Sequence, residues 1–252
     1  MIYLIHGEEE FLRSRHLAEI RGRIGQPDLI DLNTVELDGA RLTLGALRDA
    51  ADVIPFLTQR RLVIVRDLLK AVQAGSPISP DALTEYLDHV PETTDLVLLE
   101  TRAAPAKHPV VRHLSALAEK GKAQVILCAV PGPRALPSWI RQRAKEKGGE
   151  ISPRAAALLA NAVGQNLRLL DTELDKLIAY AGNGRPVEPA DVEAMVPYTQ
   201  EIKVFALTNA IGERRARAAF NHLQQLRSAG ETAPQLLAMI TRQFRILLQV
   251  TE

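Results

Sequence analysis

Paired cysteines, a membrane-length apolar run and a strong net charge are all missing from this 252-residue sequence. The one cysteine, Cys128, cannot form an internal disulfide, and it lies in or just after the apolar run VILCAV (125–130), which reads as a core strand, so a reduced, cytoplasmic protein is expected. No segment approaches the roughly 18 apolar residues of a membrane span. The N-terminal MIYLIHGEEE also lacks the basic region and long apolar stretch of a signal peptide, so neither secretion nor a membrane partner is expected. With 31 basic and 30 acidic residues the net charge is +1, which supplies no global field toward nucleic acid; any such contact has to be local.

Catalytic signatures are equally scarce. There is no G-x-S-x-G and no H-E-x-x-H, and the histidines (His6, His16, His89, His108, His113, His222) show no metal spacing. His108 and His113 are five apart and so not on one helical face; all six histidines read as surface or capping residues. No catalytic residue, no metal and no cofactor is expected.

What is present is an organised alternation. Up to about residue 130, short β-like runs such as IYLI, NTVEL, RRLVIVRD, DLVLLE and AQVIL are separated by amphipathic helices, expected at 9–24, 42–54, 81–90 and 109–120. Apolar strands spaced by helices of this length predict a largely parallel sheet covered on both faces. VPGPRALPSW (130–139) then reads as a linker. Beyond it the patterning is all helical: Ser152 as N-cap, Pro153 at the first position and Gly164 past the end of one helix, then a helix from Asn166 to Gly182 with Leu167, Leu170, Leu174 and Leu177 down one face. The expected division is an α/β domain over 1–132, a small helical domain over 133–200, and over 201–252 the first helices of a third domain, inside which the chain is expected to end.

LIHGEEEFLRS (4–14) places a glycine between a strand and a charged helix, where many α/β proteins cradle phosphate. In the frame G-x-x-x-x-G-K-[ST] from Gly7, the second glycine is Leu12, the lysine is Arg13 and the hydroxyl is Ser14. Leucine closes the loop, and Glu8, Glu9 and Glu10 repel polyphosphate while suiting the helix dipole. An ordinary acidic first turn therefore outweighs a nucleotide site. The strand RRLVIVRDLLK ends with a single carboxylate, Asp67, beside Arg66, which reads as a strand-end or helix-cap residue and not a magnesium ligand.

DVIPFLTQRR (52–61) is the other unusual stretch. The helix carrying Leu44, Leu47, Ala51 and Ile54 must end before Pro55, which leaves Phe56 and Leu57 in a turn ahead of polar TQRR. Phe56 then either folds back into the core or stands out as a docking residue. In PRALPSWIRQRAKEKG, Arg134, Arg141, Arg143, Lys145 and Lys147 surround Trp139; such a run is either a solvated helix face or a holder of single strands.

Four stretches together resemble the delta-subunit family of the bacterial DNA polymerase III clamp loader: YLIHGEEEFLRSRHLAEIR, VIPFLTQRRLVIVRDL, the run from LPSWIRQRAKEKGG to DKLIAYAG, and VFALTNAIGERRARAAFNHLQQL. The resemblance spans nearly the whole chain, and its most specific piece is the helical run that follows the linker. It implies an AAA+-type domain with a degenerate P-loop, a helical lid and the start of a helical collar. It implies a protein that binds the sliding clamp (the beta subunit) and helps open the ring for loading onto primed DNA, without hydrolysing ATP. Its partners would be the delta prime and gamma/tau subunits, with primed DNA met only within the complex. The family's hydrophobic wedge falls on Ile54, Pro55, Phe56 and Leu57. The Ser-Arg-Cys arginine finger of ATP-handling partners is absent, since Ile126 and Leu127 precede Cys128, and Arg168, near the place of the lid's sensor arginine, has no intact loop to sense. An active AAA+ ATPase and a DNA-binding replication accessory protein are the alternatives.

Overall fold

In the computed structural model, which describes residues 1–25, 27–73, 77–182, 184–196, 207–208, 210–228, 233–234, 236–238, 240–241 and 245, the apolar runs of the first half become five parallel strands. These are β1 (Ile2–His6), β2 (Thr34–Asp38), β3 (Arg61–Arg66), β4 (Thr94–Glu100) and β5 (Ala123–Leu127), ordered β2-β3-β4-β1-β5. Every residue of β1 and β4 is buried. That follows from their place inside a parallel sheet whose two faces are covered by helices, where continuous apolar runs replace the in-out alternation. The covering helices are α1 (Glu10–Arg21), α2 (Pro27–Ile30), α3 (Leu44–Ala51), α4 (Leu68–Gln73), α5 (Pro80–Leu87) and α6 (Pro109–Glu119). Leu4, Leu47, Leu68, Leu83, Leu96, Leu98 and Leu114 are shut from solvent in the core they enclose.

Several helix starts are written locally. Thr43, Ser79 and His108 cap α3, α5 and α6 by accepting from Ala46, Ala82 and Val110 N–H, with proline opening the last two helices. Two expectations need correction. The helix before Pro55 ends at Ala51, three residues short of Ile54, because Arg61 Nε and Thr94 Oγ1 donate to the Ala50 and Ala51 carbonyls (2.8 and 2.7 Å) and so satisfy the helix end from the sheet. His6 is not at the surface: it lies buried in β1, its Nδ1 accepting from Ala104 N–H at 3.0 Å, and burial lowers its pKa.

The chain divides into two compact units, Met1–Val130 and Pro131–Glu252. In the second, α7 (Leu136–Glu146), α8 (Pro153–Val163), α9 (Leu167–Ala181), α10 (Pro189–Met195) and α11 (Ala216–Ser228) are helical, and an isolated parallel bridge joins Ile151 to Val187. Ser152 caps α8, Gly164 ends it at φ 69°, and Leu167, Leu170, Leu174 and Leu177 form the buried stripe of α9. Most of 229–252, within the expected third domain, lies outside the described residues. Asp191 folds back over the start of α10, accepting from Glu188 N–H at 2.8 Å and from Arg185 at 2.7 and 2.9 Å. Arg185 and then the Glu188 N–H hold the Asp191 carboxyl down at about 2. A depressed carboxylate contributes fully above its ordinary pKa, so this cap is complete above about pH 4 and is lost as pH falls through about 2. An NMR titration of the Glu188 amide is expected to show the lower midpoint; one near pH 4 would mean that the pair is open in solution.

Candidate functional site

Two features stand at opposite edges of the sheet. At the amino edge, the Asp52–Arg60 loop between α3 and β3 turns its apolar side chains outward: Ile54 is 85% exposed, Phe56 55% and Leu57 76%, while Pro55 is half-buried. Phe56 therefore does not fold back into the core. Val53 and the nearby Leu32 are exposed as well.

The base of this tip is fixed from several sides. Asn33, fully buried at the end of the 3-10 turn Asp31–Asn33, accepts from Phe56 N–H at 2.6 Å and donates from Nδ2 to the Phe56 carbonyl at 2.8 Å and to the Leu29 carbonyl at 2.9 Å. The next residue, Leu57, is held at φ 55°, the left-handed region that a branched side chain adopts only when its surroundings impose it. At the far end of the loop, Arg60 forks onto buried Asp95 at 2.7 and 2.6 Å, a pairing that raises the Arg60 pKa. At the near end, Asp52 accepts from Tyr86 OH at 2.8 Å, and Arg48 lies 5.4 Å from the centre of the Tyr86 ring. Burial and then this hydrogen bond push the Tyr86 phenol upward. An apolar tip on a preset backbone suits insertion into a pocket, because little ordering remains to be done on contact.

At the carboxyl edge, the loop after β1 sits between the ends of β4 and β5, the crevice where open α/β sheets take their ligands. Here it is filled. Gly7 N–H donates to Arg102 O (3.2 Å), Glu9 N–H to Cys128 O (3.1 Å) and Cys128 N–H to His6 O (2.6 Å), so two of the loop's N–H groups, on Gly7 and Glu9, are bonded within the chain. The Arg13 guanidinium donates to the Gly7 carbonyl, and Ser14 Oγ donates to Glu10 Oε1 at 2.6 Å. Leu12 is buried, and Glu9 caps α1 by accepting from Phe11 N–H at 3.0 Å.

Beside it, Asp67 stands at φ 50° and accepts from both the N–H and the hydroxyl of Thr101 (3.0 and 2.7 Å), which ties the ends of β3 and β4 together. Buried Glu100 accepts from Leu69 N–H at 2.8 Å at the start of α4, and burial raises its pKa in spite of that bond. A cavity of about 200 Å³ opens between Asp67, Lys70, Glu100 and Thr101. Among the described residues no three His, Cys, Asp or Glu side chains converge at metal-binding spacing.

The basic run after the linker is divided by the fold. Arg143 and Lys147 pair with Asp171 on α9 at 2.5 and 3.0 Å, and Lys147 also pairs with Asp175 at 2.6 Å, whereas Arg134, Arg141 and Lys145 are exposed. Two of the five cations thus join helices within the second unit. Asn33 is the residue that sequence reasoning missed at the amino edge: an asparagine 23 positions from its partner leaves no local signal.

A family model described as "DNA polymerase III, delta subunit" matches residues 3–128, half of the chain, and one described as "DNA polymerase III delta subunit, C-terminal domain" matches residues 201–252. Among curated proteins, DNA polymerase III subunit delta of Bacillus subtilis (strain 168) is 25% identical over 252 residues, covering 98% of this chain and 72% of that protein. The solved Bacillus subtilis DNA clamp loader delta protein superposes with a TM-score of 0.73 at 24% identity, covering 98% of this chain and 73% of that one. At that identity the likeness is one of fold, a parallel α/β sheet domain followed by helices. Since the first family model takes in the sheet with both of its edges and the second takes in the last helical segment, the chain belongs to the DNA polymerase III delta-subunit family, whose work is DNA replication.

Proposed function

We propose that this delta-family chain binds the sliding clamp through the apolar wedge Ile54, Pro55, Phe56 and Leu57, and helps open the ring for loading onto primed DNA without hydrolysing ATP. The observation that carries this reading is the exposed Phe56 tip with its backbone held from behind by Asn33. An aromatic on a preset turn is the kind of anchor on which protein interfaces concentrate their binding energy. The delta prime and gamma/tau subunits would supply the ATP-dependent steps, primed DNA would be met within the complex, and the protein would act in the cytoplasm with no cofactor of its own. The division into lid (133–200) and collar (201–252) belongs to this proposal; the start of the C-terminal family match at residue 201 supports it.

The filled loop supports the non-hydrolysing part. Gly7, Leu12, Arg13 and Ser14 occupy the phosphate-cradle positions with the Gly7 and Arg13 N–H groups, the Arg13 guanidinium and the Ser14 hydroxyl bonded inside the chain and the Leu12 side chain buried. Isothermal titration with ATP and Mg²⁺ is expected to give no heat beyond dilution; a micromolar dissociation constant would restore the ATPase reading. Clamp binding itself is tested by pull-down of the full chain with a bacterial sliding clamp in the absence of ATP. Retention at raised salt is expected, since burial of an apolar tip is insensitive to screening, whereas direct DNA binding falls steeply with salt.

A further inference from the structure

We infer that Asn33 is the positioning residue of the wedge, setting the Phe56 tip in its docking conformation before any partner arrives; this rests on the clamp-binding reading proposed above. A carboxamide carries one acceptor and one donor group side by side, so it meets the N–H and the C=O of a single residue as a neighbouring strand would. Asn33 uses both on Phe56, at 2.6 and 2.8 Å, and its second N–H on the Leu29 carbonyl at 2.9 Å. From a fully buried side chain anchored on Leu29, the two bonds to Phe56 hold the peptides on either side of that residue, the second of which leads into Leu57, the residue at φ 55°. Among the described residues the loop's other side-chain hydrogen bonds lie at its ends, on Asp52 and from Thr58 to Arg60, so the centre of the tip depends on Asn33.

Asn33→Asp keeps the shape but replaces a donor that serves two carbonyls with an acceptor that opposes them. Affinity for a bacterial sliding clamp, measured by surface plasmon resonance on the full chain, is compared for wild type, Asn33→Asp, Phe56→Ala and the double variant. Asn33→Asp is expected to weaken binding about tenfold and to add nothing on the Phe56→Ala background, because its effect runs through Phe56. If Phe56→Ala weakens binding while Asn33→Asp does not, or if the two losses simply add, the positioning role is wrong and the wedge stands. If Phe56→Ala leaves affinity unchanged, the clamp-binding reading falls and this role falls with it. Hydrogen exchange on the wild-type chain needs no variant to fold: the Phe56 amide is expected to be protected in the free protein, and exchange at the rate of an open loop amide would overturn the inference by itself.

Discussion

Replacing Pro55 and Phe56 together by alanine is expected to weaken clamp binding at least tenfold, about 1.4 kcal/mol, while the unfolding temperature changes little. Phe56 is more than half exposed and Pro55 half-buried, so neither side chain fills the core and their removal leaves no cavity. Burying one aromatic in a preformed pocket supplies about 2 kcal/mol or more. Pro55 adds to this by restricting the turn, with exposed Ile54 and Leu57 left to line the rim. Equilibrium binding together with thermal unfolding of the same variant checks both halves. A sharp drop in unfolding temperature with affinity intact in the folded fraction would make Phe56 a packing residue and move the docking site elsewhere.

Gly7→Ala should have the largest effect on stability, lowering the unfolding free energy of the first unit by at least about 3 kcal/mol. Gly7 has φ 127°, which L side chains rarely adopt, and a Cβ there would meet the Cys128 carbonyl oxygen at 2.1 Å. The obstacle is backbone, locked by the Cys128 N–H to His6 O and Glu9 N–H to Cys128 O bonds, so nothing can move aside cheaply. Ser14→Ala is the contrasting control: its exposed hydroxyl donates to Glu10, and a change within about 0.5 kcal/mol is expected from denaturant titration. Equal, small effects of the two variants would mean that the loop is not packed as described. A glycine can thus be required in the loop after β1 for a reason unrelated to phosphate, the close approach of β1 to the segment after β5.

That reason was not readable from the sequence, where Gly7 explained only a tight turn. Signals confined to a few neighbouring residues were readable. Ser152, Pro153 and Gly164 bracket α8, and the Leu167–Leu177 stripe marks α9, because capping and helical periodicity act over one to four positions. The apolar runs IYLI and DLVLLE likewise announced strands, though their central places in the sheet came only with the fold. Contacts between distant segments were not legible. The end of α3 was placed three residues late because Arg61 and Thr94, which close it, come from strands that only the fold brings near. His6 was misplaced for a similar reason, its partner Ala104 being 98 residues away. At the candidate site Pro55 placed Phe56 and Leu57 in a turn but left open whether Phe56 packs inward, and the asparagine that holds the turn gave no signal. The filled loop was legible residue by residue, while the carbonyls that occupy its N–H groups emerged only from the folded chain.

The two edges of the sheet also have a mechanical meaning. A push on the Phe56 tip enters through Arg61, Thr94 and Asp95 at the starts of β3 and β4, and reaches Gly7 and Cys128 only after crossing the length of the strands, about 17 Å. To yield under that load, neighbouring strands would have to slide past one another, shearing a whole ladder of hydrogen bonds at once. At the far edge, the loop that could have served as a hinge is bolted shut by Arg13 and the Cys128 backbone. Along the strand direction the first unit is therefore stiff, since a push at its tip loads the parallel ladders of β2, β3 and β4 together.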